Sequence, residues 1–195
     1  MTNLPLSRQQ AWELLKKYNS DKSDINHYLE SEAIMRGLAE HLREDVEYWG
    51  MLGLLHDVDW GVTKDKVETH LTKMPEILRE AGFSDEFIEN ILSHGYGFDE
   101  LPHLASKKRN KKIEHALSAG ETVTGLVHAY ALMRGKKVSD METKGLMKKY
   151  KDKTFAAKLD REIIKEIENI GLSLDEFFKI AINAIKKIKD IVGLV

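Results

Sequence analysis

His56 and Asp57 stand next to each other at the end of an apolar stretch that begins near Tyr48. A polar pair placed there needs a partner. An imidazole nitrogen beside a carboxylate oxygen suits a first-row divalent metal ion. Adjacent residues project about 100° apart on a helix, so both reach one ion only near a helix end. Three further histidines lie where partners would be wanted. His27 is one expected helix earlier. His70 shares an expected helix face with Met74, Ile77, Leu78 and Ala81. His94 falls at an expected helix C-terminus, whose partial negative charge favours a nearby cation. A single inward histidine is ordinarily a hydrogen-bonded core residue. The ordered set is what points to a metal, because burying so many titratable groups without a shared partner is costly.

The elements that position these residues read as all-helical. Proline is scarce and the apolar spacing is mostly three-and-four. Ser7 is placed to cap a first helix ending near Tyr18. The next helix carries His27 in its first turn and Ile34, Met35, Leu38, Ala39 and Leu42 on one face. Asp45 is placed to cap a third, apolar nearly all round, which ends at His56–Asp57. Gly50 and Gly53 let a neighbouring helix approach closely. A helix is expected over Lys66 to Ala81, and a short one from Ser84 to His94 with Gly95 at the C-cap. A loop to Asn110 then leads to a long helix, about Lys112 to Arg134. Ser139 is placed to cap another. Asp160 to Ile170 and Ser173 to Val192 complete the set, with Ser173 and Glu176 in the capping-box spacing. One domain is expected over 1–195, with a core of about 26–131 and a helical extension over 139–193. The final helix, with Phe177, Phe178, Ala181 and Ile185, reads as core or as a homodimer surface.

Composition bounds the function. A formal net charge of −2 gives no global basic field, so nucleic acid is not an expected partner. With no cysteine there is no disulfide, thiolate metal site or cysteine nucleophile. No apolar run is long enough for a membrane span, and the first residues do not form a signal peptide. The expected compartment is the cytoplasm. Neither a phosphate-loop glycine pattern nor a Gly-x-Ser-x-Gly elbow is present.

The order His27, His56-Asp57, His70, His94 resembles the HD superfamily of metal-dependent phosphohydrolases, over roughly Asn26 to Ala131. The resemblance implies a compact multi-helix bundle. It implies that His27, His56 and Asp57 bind a first metal, and that His70 and His94 serve a second metal or the substrate phosphate. The family's last ligand is an Asp on a late helix. The matching stretch is Ser118 to Leu126, where Gly120 takes the Asp position on an inner stripe with Ile113, Ala116, Leu117, Thr124 and Val127. Glu121, one step round the helix and longer, could swing in as the substitute ligand, or water could fill the place. Asp59 could orient a ligand histidine or cap the following turn. Glu121 and His128 could pair along one helix face.

These readings converge on a metal-dependent hydrolase of phosphoester bonds. His56 and Asp57 form its catalytic pair, and one or two divalent ions activate a water. Fe, Mn, Co, Ni, Zn and Mg are all candidates, and histidine-rich ligation leans away from Mg. The substrate implied by the resemblance is a nucleotide or other small phosphate ester, with Lys64 and Lys66 as candidate phosphate contacts. Oxygenation at a di-iron site is a competing chemistry among HD relatives. The alternative function is a degenerate HD domain that binds metal or nucleotide without catalysis, as a sensor or scaffold. The basic run Lys107 to Lys112 reads as a solvated surface or a lip over an anionic substrate.

Overall fold

The computed structural model describes residues 4–195, and the described residues form helices and turns without a strand. The cap residues explain why the helices begin where they do. Ser7 and Gln10 close a capping box on α1 (Arg8–Tyr18). Asp21 caps α2 (Lys22–Leu42), which starts earlier than the sequence suggested and puts His27 in its second turn. The Asp45 carboxylate accepts from Tyr48 N–H at the start of α3 (Val46–Leu55). Short α4 (Trp60–Thr63) and α5 (Met74–Glu80) follow, then α6 (Asp85–Leu92), capped by Ser84. The long α7 (Lys112–Met133) precedes α8 (Thr143–Lys151), α9 (Arg161–Lys165) and α10 (Leu174–Ile188). The capping box of α10 is made by Ser173 and Glu176, as the spacing predicted.

The second helix is the central post, packed by α3, α7 and α10. The third is buried from Trp49 to Leu55, which is why its sequence shows no polar face. Gly53 is what lets these two helices meet. A Cβ there would come within 2.6 Å of the Ser31 carbonyl oxygen, so no other residue fits. On the opposite side α10 lays Phe177, Phe178, Ala181 and Ile185 into the same core.

Three local expectations are corrected. The stretch 66–81 is not one helix. It is a 3-10 turn (Val67–Thr69), a loop and then α5. His70 therefore faces inward from a loop, and Leu71 takes a left-handed conformation at φ 65°. The physical cause is Asp59, whose buried carboxylate accepts from the N–H groups of Leu71, Lys73 and Met74 and so bends the chain. Ser139 caps nothing, because α8 begins at Thr143 behind Glu142. The 160–170 stretch is split into α9 and a 3-10 segment (Glu166–Ile170) ended by Gly171 at φ 86°.

Candidate metal centre

Each histidine of the centre is delivered by a different piece of structure. His27 rises from the second turn of α2. His56 is the C-cap of α3, and its Nδ1 lies 2.9 Å from the Gly53 carbonyl. Asp57 opens the following turn. That turn is tied down by buried Asn19, whose amide donates to the Val58 carbonyl and whose oxygen accepts from Gly61 N–H and the Tyr28 hydroxyl. His94 sits in a 3-10 turn (Ser93–Gly95), with Nδ1 2.7 Å from the Ile91 carbonyl.

These partners assign the tautomers. A carbonyl only accepts, so His56 and His94 each carry the proton on Nδ1. The Thr124 hydroxyl donates to the Glu121 carbonyl at 2.6 Å, so its oxygen accepts from His27 Nδ1 at 2.9 Å. Nδ1 of His70 faces Asp59 Oδ1 at 3.2 Å, though without hydrogen-bond alignment. All four Nδ1 atoms are thus turned outward and all four Nε2 atoms inward.

The inward atoms meet around Asp57. Nε2 of His27 and Nε2 of His56 are 3.0 Å apart. They stand 3.9 and 3.5 Å from Asp57 Oδ2. On the other oxygen, Oδ1, His70 Nε2 and His94 Nε2 each approach to 3.2 Å. Two ligand sets result, His27–His56–Asp57 and Asp57–His70–His94, each with its atoms within 4.8 Å of one another. Two bare imidazole lone pairs 3.0 Å apart repel unless a cation lies between them. The donor set therefore fits divalent metal, with Asp57 shared and the outer hydrogen bonds fixing ring orientation.

The electrostatics agree. Burial drives His56 down to about 3, which keeps it neutral and able to ligate. Burial also opposes charge on Asp57 and on His70, but here it loses. The surrounding histidines hold the Asp57 carboxyl well below its usual range. Asp57 and Asp59 together raise His70 to about 10. Two carboxylates flanking one imidazole call for positive charge, as a proton or as a metal.

Glu121 completes the constellation, with Oε2 3.9 Å from His27 Nε2. Burial pushes its carboxyl up from the usual value. Gly120 does not face the centre. A Cβ on it would point at Met35 Sδ, Ile34 and Leu38, in the α2–α7 core. The inner stripe of α7 and its metal-facing edge are different sides of the helix, and Glu121 is on the second. No gap opens at Gly120.

Residues 24–129 match the family model of the HD domain. The chain belongs to the HD domain family. The match runs from α2 to α7 and contains every residue of the constellation just described. Neither a curated protein nor a solved structure gave a significant match to the chain. Within this HD domain, Lys64 and Lys66 are not among the residues grouped around Asp57. Both are exposed, and Lys64 pairs with Asp24 at 3.3 Å. The expected Glu121–His128 pair is absent; His128 Nδ1 bonds instead to Glu30 Oε1 on α2 at 2.7 Å.

One positioning group had gone unseen. Arg109, inside the basic run, is not solvated. Its side chain is 7% exposed and forks onto both Glu166 oxygens at 2.6 and 2.7 Å. It also donates to the Ser93 and Tyr96 carbonyls at 2.9 and 2.7 Å, bracketing His94. Glu166 in turn lies 2.7 Å from His115 Nδ1. The one signal was residue type: Arg109 is the single arginine among four lysines, and its planar fork suits a buried carboxylate pair. Among the described residues no helix is long and apolar enough to cross a membrane.

Proposed function

We propose that this HD domain hydrolyses a small phosphate ester, using one or two divalent ions held around Asp57. The observation that supports this reading is the convergence of four Nε2 atoms on a single carboxylate, with each Nδ1 turned outward. His27, His56 and Asp57 would hold one ion, with Glu121 beside them. Asp57, His70 and His94 would hold the other. A bound divalent ion supplies Lewis acidity, which makes water nucleophilic near neutral pH and offsets charge on the phosphoryl oxygens. The water oxygen forms the new bond to phosphorus as the bond to the leaving oxygen breaks, giving phosphate and an alcohol. The neutral His56 offers a lone pair rather than a proton. Asp57 fixes the spacing of the two halves of the centre, and Asp59 keeps His70 facing inward. Histidine-rich ligation favours Mn, Fe, Co, Ni or Zn over Mg.

A binding-only role drew its support from Gly120. In the catalytic reading Glu121, with Oε2 3.9 Å from His27 Nε2, would stand in for the family's late Asp. The test is metal content and phosphoester turnover of wild type and Asp57→Asn. Wild type should carry metal and release phosphate, and the variant should fall to the uncatalysed background while keeping its helical spectrum. Unchanged metal content in Asp57→Asn and in His56→Ala would remove the metal centre from consideration. Metal without turnover across a broad phosphoester panel would favour the sensor or scaffold reading.

A further inference from the structure

A cavity of about 350 Å³ opens onto the His70–His94 side of the centre. Its floor is polar: Asp57, His70, His94 and Glu121. Its walls are not. Trp60, Val67, Phe98 and Leu101 line them, and Trp60 packs edge-on against His70 with ring centroids 5.0 Å apart. The apolar wall thus begins directly beside the metal ligands. Apart from the histidines of the centre, the titratable side chains lining the cavity are acidic: Asp57 and Glu121 on the floor, exposed Glu100 at the rim. Lys64 and Lys107 are each paired with an acid outside the cavity lining, Asp24 and Glu89.

This arrangement selects among phosphate esters. Two divalent ions against the Asp57, Asp59 and Glu121 carboxylates leave a net charge of about +1, which one phosphoryl dianion already more than offsets. A second phosphate on the same substrate would lie in an apolar cleft facing Glu100, where nothing replaces its hydration. An aromatic or other flat apolar group would instead replace water on Trp60 and Phe98. From this lining we infer that the preferred substrate is a phosphomonoester with a single phosphate and an apolar or aromatic body, and that Trp60, Phe98 and Glu100 set this preference. The inference rests on the phosphohydrolase reading of the same centre.

The test separates the two. In metal-loaded protein, binding of phenylphosphonate, methylphosphonate and methylenediphosphonate is measured by calorimetry. Hydrolysis of 4-nitrophenyl phosphate, glycerol 2-phosphate and a nucleoside diphosphate is measured in parallel. Phenylphosphonate should bind at least tenfold tighter than methylphosphonate, and methylenediphosphonate should not exceed it. The kcat/KM ratio of the aryl to the glycerol ester should exceed ten and fall toward one in Trp60→Ala and Phe98→Ala. Trp60→Phe should retain most of the ratio, which separates loss of the aromatic wall from misfolding. Glu100→Lys should raise relative turnover of the nucleoside diphosphate. Preference for the diphosphate, or an aryl ratio insensitive to both alanine variants, overturns the inference and leaves the phosphohydrolase reading standing. Tight phenylphosphonate binding without any turnover preserves the apolar subsite and sinks the hydrolase. Neither binding nor turnover sinks both.

Discussion

Asp59 has no exposed surface, yet its two oxygens hold three backbone N–H groups and stand beside His70. Replacing it by Asn should keep the volume and remove the charge that orients the imidazole. We expect Asp59→Asn to weaken Mn²⁺ binding at the His70–His94 side by about 10–100-fold, the usual cost of losing a carboxylate behind a ligand histidine. Titration calorimetry would read this as loss of one of two binding events, and two intact events would refute it. Gly120 makes the complementary case. Its missing Cβ would stand 3.2 Å from Met35 Sδ, so Gly120→Asp should bury an unpaired carboxylate in the core. The expected loss is about 3 kcal/mol in urea unfolding, with no gain in metal affinity. At this scale the ligand histidines were legible, because residue type and order suffice to suggest them. Gly120 and Glu121 were not separable, since adjacent positions on α7 differ by only 100° and the axis of the site was unknown. Thr124, placed on the inner stripe by its spacing, bonds back to its own helix, and that bond is also what turns its oxygen toward His27.

Helix ends were the best-read elements. Ser7, Asp45, Ser84 and Ser173 cap where their spacing said, because each cap is a contact within four residues. The 66–81 stretch was misread because its break is imposed from Asp59, outside the segment. Arg109 shows the same limit. Its partner Glu166 lies 57 residues away in the 3-10 segment after α9. This pair joins the extension to the turn that carries His94. Arg109→Ala should cost about 1.5–3 kcal/mol, because it removes the charged hydrogen bonds to Glu166 and to the Ser93 and Tyr96 carbonyls and leaves Glu166 only His115. It should also lower metal occupancy on the His94 side more than on the His27 side. Denaturation midpoints and metal stoichiometry after dialysis would check both. A variant destabilised by less than about 1 kcal/mol would mean the fork is not holding the turn.

Across the whole molecule, α2 and its neighbours are one core, and α10 belongs to it. Truncating buried Phe178 to Ala should cost about 3–5 kcal/mol and leave a single unfolding transition. Two separated transitions would show that the extension folds as its own unit. A second cross-link between long helices is His128 on α7 with Glu30 on α2. The hydrogen bond to Glu30 raises His128 above its ordinary value of 6.5. Its contribution is therefore complete below about pH 6.5 and is lost as pH rises through the folded value. Metal-free His128→Gln should be less stable than wild type by about 2 kcal/mol at pH 6, with the gap closing toward pH 9. Urea titrations at several pH values would measure it, and a gap that widens with pH would contradict it.

The packing of α10 on α2 also has a meaning in time. Gly37 lies so close to Ile180 that a Cβ would stand 3.1 Å from it, and Asn26 donates to the Val192 carbonyl, 166 residues along the chain. During synthesis α2 emerges roughly 130 residues before α10, which at 5–20 residues per second is about 7–26 s. For that interval part of the central helix has no native cover. A nascent chain stalled before Leu174 should accordingly be held by ribosome-associated chaperones, and one stalled well beyond Val195 should be released.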